Sequence, residues 1–218
     1  MATIKQLTYN IKNLQGRGEF TDDLKLSDRQ VEFIINHFRA EIAAQRSNVK
    51  KSVGGFYQRL EDLKLYKTND FRANLPDVVI LKTKEFPTIA SSHKGDIVRF
   101  VGTRDEFMGF QSSGIHTYNI DLENPYVRNI YFTQGDFLYI CTKNYMMLRE
   151  VYIEAVFNNP RAVKAFQGEL DLFNKEDWEY PIPDGLIGQL NNMIINGEYN
   201  WMHLLRADKI NDGSDDKQ

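Results

Sequence analysis

Between Leu26 and Lys51 the sequence LSDRQVEFIINHFRAEIAAQRSNVKK carries a helix start, a two-sided pattern and a stop in one run. Ser27 and Gln30 stand at capping-box spacing, so each side chain can satisfy the other's main-chain amide, and Leu26 and Val31 flank them where a hydrophobic staple closes. Val31, Ile34, Ile35, Phe38, Ile42 and Val49 recur at helical spacing, whereas Arg29, Glu32, Asn36, Arg39 and Arg46 fall on the other side. The pattern predicts a helix of roughly six turns with one buried face, long enough to run along most of a domain or against a neighbouring subunit.

Around this rod the chain divides by its periodicity. Residues 1–25 hold scattered apolar positions (Ile4, Leu7, Tyr9, Ile11, Leu14) before Gly16-Arg17-Gly18, and read as an extended arm or short strand on a flexible hinge. After Ser52-Val53-Gly54-Gly55, the residues Phe56, Leu60, Leu63 and Leu65 resume a helical spacing, which makes 26–75 a helical hairpin. From Pro76 the period changes to two. Candidate strands follow at Val78–Lys82, Thr88–Ser91, Ile97–Gly102, Ile115–Ile120, Val127–Thr133, Asp136–Thr142 and Glu150–Phe157, short and punctuated by turn residues. Gly135 supplies the positive φ of a tight hairpin between the fifth and sixth of these.

Residues 76–158 therefore read as an antiparallel β-sandwich or barrel. At Asn159-Pro160 an N-cap and an N1 proline open a short helix through Phe166. Tyr180-Pro181-Ile182-Pro183 is an extended lead-in to a last helix whose Leu186, Ile187, Leu190, Met193, Ile194, Trp201, Leu204 and Leu205 form a second apolar stripe, expected to dock on the first helix. Residues 159–206 would complete the helical region, and 207–218 form a polar, acidic tail. The fold class expected is α+β, with N- and C-terminal helices enclosing a β insert.

Composition excludes several function classes. With 42% hydrophobic and 26% charged residues, 218 residues can bury a core without staples, and the one cysteine, Cys141, sits in the apolar run Phe137–Cys141 without a partner. No apolar run reaches the ~18 residues of a membrane span, and residues 1–10 lack a signal core, so synthesis and folding in a cytoplasm are expected. A net charge of −3 argues against a generic nucleic-acid-binding domain.

Motifs for chemistry are weak throughout. His37, His93, His116 and His203 are far apart and lack partners at ligand spacing. Ser47-Asn48-Val49-Lys50 has the S-x-x-K form without a later K-T-G, and Gly16-Arg17-Gly18 lacks the strand and third glycine of a dinucleotide site. Thr103-Arg104-Asp105-Glu106 reads as a charged turn. A β-sandwich hydrolase would need an apposed nucleophile and base, and neither is visible. The basic residues Arg46, Lys50, Lys51, Arg59, Lys64 and Lys67 could form a patch, partly neutralised by Glu61, Asp62 and Asp70. They carry the alternative reading, a nucleic-acid-binding regulator. The expectation is no catalysis, no cofactor and no metal.

The order of a capped LSDRQVEFIINHFRAEI helix, a Gly turn, a helix with the F-x-x-x-L spacing of Phe56 and Leu60, a β insert closing on Val156-Phe157-Asn158-Asn159-Pro160, then Tyr180-Pro181-Ile182-Pro183 and a final helix resembles a head-to-tail connector ring protein, adaptor- or tail-tubular-like, of crAss-like short-tailed bacteriophages. The resemblance implies a structural virion protein at the tail vertex. Its partners would be identical subunits in a cyclic ring, a dodecamer, together with the portal protein and neighbouring connector or tail rings. Viral DNA would pass through the lumen without sequence-specific binding, and no membrane is involved. Arg29, Arg39, Arg46, Tyr180, Ile182, Ile210 and Asp212 are the interface residues expected on this reading, and the acidic tail would order on a partner.

Overall fold

The computed structural model describes residues 2–15, 27–72, 75, 77–104, 109–114, 117, 121, 129–143, 146, 148–168 and 178–197. The chain forms two compact units, one from residues 1–42 and 173–218, the other from residues 43–172.

The first unit is built on helices, and the last turns of its long helix, from Ala43 on, belong to the second unit. The long helix predicted from the capping signals is present as α2, Asp28–Asn48, and its box forms as expected: Ser27 N donates to Gln30 Oε1 at 2.8 Å and Gln30 N to Ser27 Oγ at 3.3 Å. Val31, Ile34, Ile35 and Ile42 are buried, Phe38 is half-buried, and Val49, placed on the same stripe by its spacing, is exposed just past the helix end.

The expected N-terminal arm is instead a helix, α1, Ile4–Gln15. Its start is a second capping box, in which Thr3 N donates to Gln6 Oε1 at 3.0 Å and Gln6 N to Thr3 Oγ1 at 3.2 Å. Ile4, Leu7 and Ile11 bury one face. Lys12 pairs with Asp28 at the start of α2, and a Thr3–Glu179 bridge with Tyr180 N donating to Ala2 O at 3.0 Å holds the 178–183 segment. That segment leads through a 3-10 turn, Asp184–Leu186, into α4, residues 187–197. The docking of α4 on α2 is seen at Gly197, where a Cβ would stand 2.7 Å from Phe38 Cζ. Trp201, Leu204 and Leu205 lie outside the described residues.

The second unit is a large, curled, mostly antiparallel sheet, a half-barrel rather than a two-sheet sandwich. Its strands are β1 Gln58–Lys67, β2 Val79–Thr83, β5 Val98–Gly102, β6 Gln111–Ser112, β7 Asn129–Gln134, β8 Phe137–Thr142 and β9 Glu150–Ala155, in the order β5-β9-β1-β2-β8-β7-β6. A two-stranded ribbon pairs β3, Ser91–Ser92, with β4, Gly95–Asp96. The β6–β7 pairing is parallel. Phe110, just before β6, donates its amide to Val101 O of β5 at 2.7 Å, so the two ends of the sheet meet at that point.

The strand β1 corrects the helix expected over Phe56–Leu65. Asp62 takes φ 56, and the pairing with β9 shifts register between Leu60 and Leu63. The bulge brings Leu60 and Leu63, three residues apart, to the same buried cluster, and Leu65 packs against it too. A spacing of three in a bulged strand imitates a helical face.

The strand expected over Thr88–Ser91 is instead an isolated Ile89–Phe157 bridge followed by the two-residue β3, the other strand readings hold within a residue or two, and Ile115–Ile120 falls almost wholly outside the described residues. Gly135 has φ 58 in the β7–β8 turn. Strands β2, β7 and β8 are covered on both faces. Leu81, Tyr131, Leu138 and Ile140 join one cluster; Ile80, Ile130, Phe132, Tyr139 and Cys141 join another under Phe71 and Leu75. Cys141 is buried there, and desolvation pushes its thiol up to about 12. The short helix α3, Pro160–Phe166, starts as expected, with Asn159 Oδ1 accepting from Arg161 N and Ala162 N at 3.0 and 3.3 Å.

Candidate assembly surfaces

The interface residues expected from sequence separate into interior and surface. Arg39 is fully buried in the first unit, because helix geometry turns it toward the 178–183 segment. Its Nε donates to Pro181 O at 2.8 Å, and its guanidinium lies 5.7 Å from the Tyr180 ring centroid. Tyr180 and Ile182 are buried beside it, and the Tyr180 hydroxyl donates to Asn36 Oδ1 at 2.7 Å. Burial lowers the Arg39 pKa to about 10 and raises that of Tyr180. At neutral pH the guanidinium therefore stays charged and the phenol neutral. Asn36 and Arg39, assigned to the polar side of the helix by periodicity, thus form an internal polar clasp between α2 and Tyr180-Pro181.

The surface of α2 is the line Arg29, Phe33, His37, Glu41 and Gln45, all exposed and four residues apart. Phe33 is 72% exposed in this otherwise polar line. No sequence signal marked it, since a phenylalanine one step off a helical stripe reads as core. Arg46 is half-buried and donates from Nε to Ser52 O at 2.8 Å, fastening the end of the helix. Ile210 and Asp212 lie outside the described residues.

In the second unit the basic residues expected as a patch divide between the end of α2, with Arg46, Lys50 and Lys51, and the strand β1, with Arg59, Lys64 and Lys67. Because β1 is a strand, Arg59 is carried into the sheet, where it lies 3.9 Å over the Tyr152 ring and pairs with Glu61 at 3.0 Å. Tyr152 stacks in turn on Phe100, with ring centroids 5.1 Å apart. Phe100 rests on Gly102 and Gly109, where added Cβ atoms would meet the ring at 2.6 and 2.7 Å. Arg104 meets Glu61 and Asp62 at 2.8 and 3.0 Å, and Arg99 meets Glu154 at 3.5 Å. Arg59, Arg99 and Arg104 are thus matched by carboxylates, whereas Lys50 and Lys51 stay exposed at the end of α2. Lys82 likewise pairs with Asp70 at 2.7 Å while Tyr139 donates to the same carboxylate at 3.1 Å. The Lys82 hydrogen bond holds the Asp70 carboxyl below its ordinary range.

Among the described residues no group of three or more His, Cys, Asp or Glu is placed to hold a metal ion, and no helix is long and apolar enough to cross a membrane. His37 and His93 are both exposed. The described surface carries an exposed aromatic, Phe33, on the long helix and an aromatic–arginine stack of Phe100, Tyr152 and Arg59 on the sheet. A family model described as phage tail ring protein 2 matches residues 6–217. No curated protein matches the chain.

Proposed function

The chain belongs to the phage tail ring protein 2 family of crAss-like phages, and on that premise we propose that it is a ring subunit of the head-to-tail connector, built of identical copies around a channel for viral DNA. The observation that carries this reading is the match over residues 6–217, which spans both units. Ring closure requires two different surfaces on each copy, one meeting the other by rotation. The outer line of α2, with Arg29 and Phe33, is our choice for one such surface. A cyclic dodecamer stacked between the portal and a further ring fits the connector role, with Ile210 and Asp212 of the tail reaching an adjacent protein. Arg39, Tyr180 and Ile182 would serve the interface indirectly, by fixing the helix that presents Arg29 and Phe33.

In this reading the chain has no catalytic activity, and its acidic balance of −3 lets DNA pass without fixed cations holding the phosphates. A nucleic-acid-binding regulator would need Arg59 and its neighbours free of carboxylates, and Arg59 is paired with Glu61. Image reconstruction of the tail vertex of the phage at side-chain resolution tests the proposal. The expected result is a closed ring of this chain coaxial with the portal. Its absence from purified particles would remove the structural role.

A further inference from the structure

The end of α2 and the mouth of the sheet carry complementary features within the second unit. At the helix end Lys51 N donates to Arg46 O at 2.9 Å and Lys50 N to Ser47 O at 3.2 Å, the two bonds of a Schellman stop. The residue that takes the left-handed conformation there is Lys50, with φ 55, at a position that ordinarily goes to glycine. Val49 beside it is 63% exposed, and Lys50 and Lys51 are both exposed. The knuckle is held rigid from two sides, by Arg46 on Ser52 O and by Lys94 Nζ donating to Asn48 O at 2.9 Å. A strained backbone that keeps a lysine where glycine would relax it points to a use for the side chain.

The cleft has the opposite character. It has a volume of about 480 Å3 and lies between the loop after β2, the β7–β8 turn and α3. Phe86, Pro87 and Phe166 give it apolar walls, and Glu85 and Asp136 stand on its rim with no cation among the lining residues. Neither carboxylate makes an ion pair among the described residues. Phe166 is 43% exposed at the lip.

We propose that the Val49-Lys50-Lys51 knuckle of one subunit docks in the Glu85–Asp136 cleft of the next, the valine against Phe86, Pro87 and Phe166 and the ammonium groups on the two carboxylates. This rests on the ring reading and assigns one of its contacts. The knob and the cleft are different surfaces of the same chain, as a head-to-tail contact that closes into a ring requires. Opposite charge sets the register and partner choice, and the apolar floor excludes water around it.

The test uses a phage whose own copy of the gene is deleted, supplied in trans with full-length variants, and reads the amount of the chain in purified particles. Lys50→Glu/Lys51→Glu and Glu85→Lys/Asp136→Lys should each lower incorporation at least tenfold, since each sets like charges against each other. Supplied together they should restore it, because the reversed knuckle of one fits the reversed cleft of the other and alternating copies close the ring. Lys50→Gly is the control for folding. It should raise the melting temperature of the purified chain, by relieving φ 55, and still reduce incorporation severalfold. If both charge-reversed variants enter particles like wild type, or if mixing them restores nothing, the docking is wrong. If wild type itself never enters particles, the ring reading fails instead.

Discussion

Among the described residues Arg39 is the largest of the fully buried side chains, and it sits where helical periodicity places a solvent-facing residue. A lone sequence gives no sign that a long helix will have a second covering layer, here Tyr180-Pro181-Ile182, on the side that looks polar. The clasp is the reason the stripe of α2 is wider than its apolar residues. Tyr180→Phe would leave Asn36 Oδ1, now 2.7 Å from the phenol, buried without its donor. The loss should be about 1–3 kcal/mol in a denaturant melt, and a variant as stable as wild type would show that water replaces the hydroxyl. Cys141 was legible from its run of neighbours, and its chemistry follows from burial. Its thiol loses a proton near 9 when unfolded and about 12 when folded. A raised folded value means that its contribution is fully present below pH 9 and is lost as pH climbs toward 12. The stability difference between wild type and Cys141→Ala should accordingly be flat from pH 7 to about 8.5 and shrink above that, as followed by urea melts across pH. The native thiol should also react with a thiol reagent only as fast as the fold opens.

At the scale of elements, the outcomes divide by whether the local signal and the period agree. α2 and α3 were readable because each has a cap whose hydrogen bonds form as the side chains dictate. The β7–β8 hairpin was readable because Gly135 alone could take φ 58 without strain. Gly135→Ala should cost about 1 kcal/mol, with an unchanged denaturant slope, since only the turn is strained. α1 was missed although Thr3 and Gln6 spell a capping box and Ile4, Leu7 and Ile11 keep helical spacing. The glycines that follow drew attention to flexibility, and three apolar residues are a weak stripe until a covering surface exists. β1 was missed for the opposite reason, a clear pattern with the wrong cause. The bulge at Asp62 inserts a residue and stretches one strand period of two into a step of three, and no single-sequence period separates that from one face of a helix.

For the whole molecule, class and broad role were legible and arrangement was not. The mixture of long helix and short strands gave α+β, but strand order, the both-sided burial of β2, β7 and β8, and the division of the basic residues depend on pairings between distant segments. Such pairings leave no trace in local spacing. The acidic C-terminal residues make a separate prediction. Deleting Asn211–Gln218 should leave the melting temperature of the isolated chain unchanged and reduce the yield of complete tails, measured by counting full particles. Normal, infectious particles from the truncated chain would make that segment dispensable.

The meeting of the sheet's two ends at Phe110 bears on how such a subunit is stored before use. A phage makes its tail proteins in many copies in one cell, and a curled sheet with a bare rim would offer each copy a template for lengthwise stacking with no natural end point. Here β6 is two residues long, β5 is irregular between Val98 and Phe100, and the Phe110 amide occupies Val101 O on the remaining rim. Growth by backbone pairing is thereby blunted. In the proposed ring the copies would then join through side-chain surfaces, and a contact that fixes the angle between neighbours is what makes a chain of subunits count itself and stop.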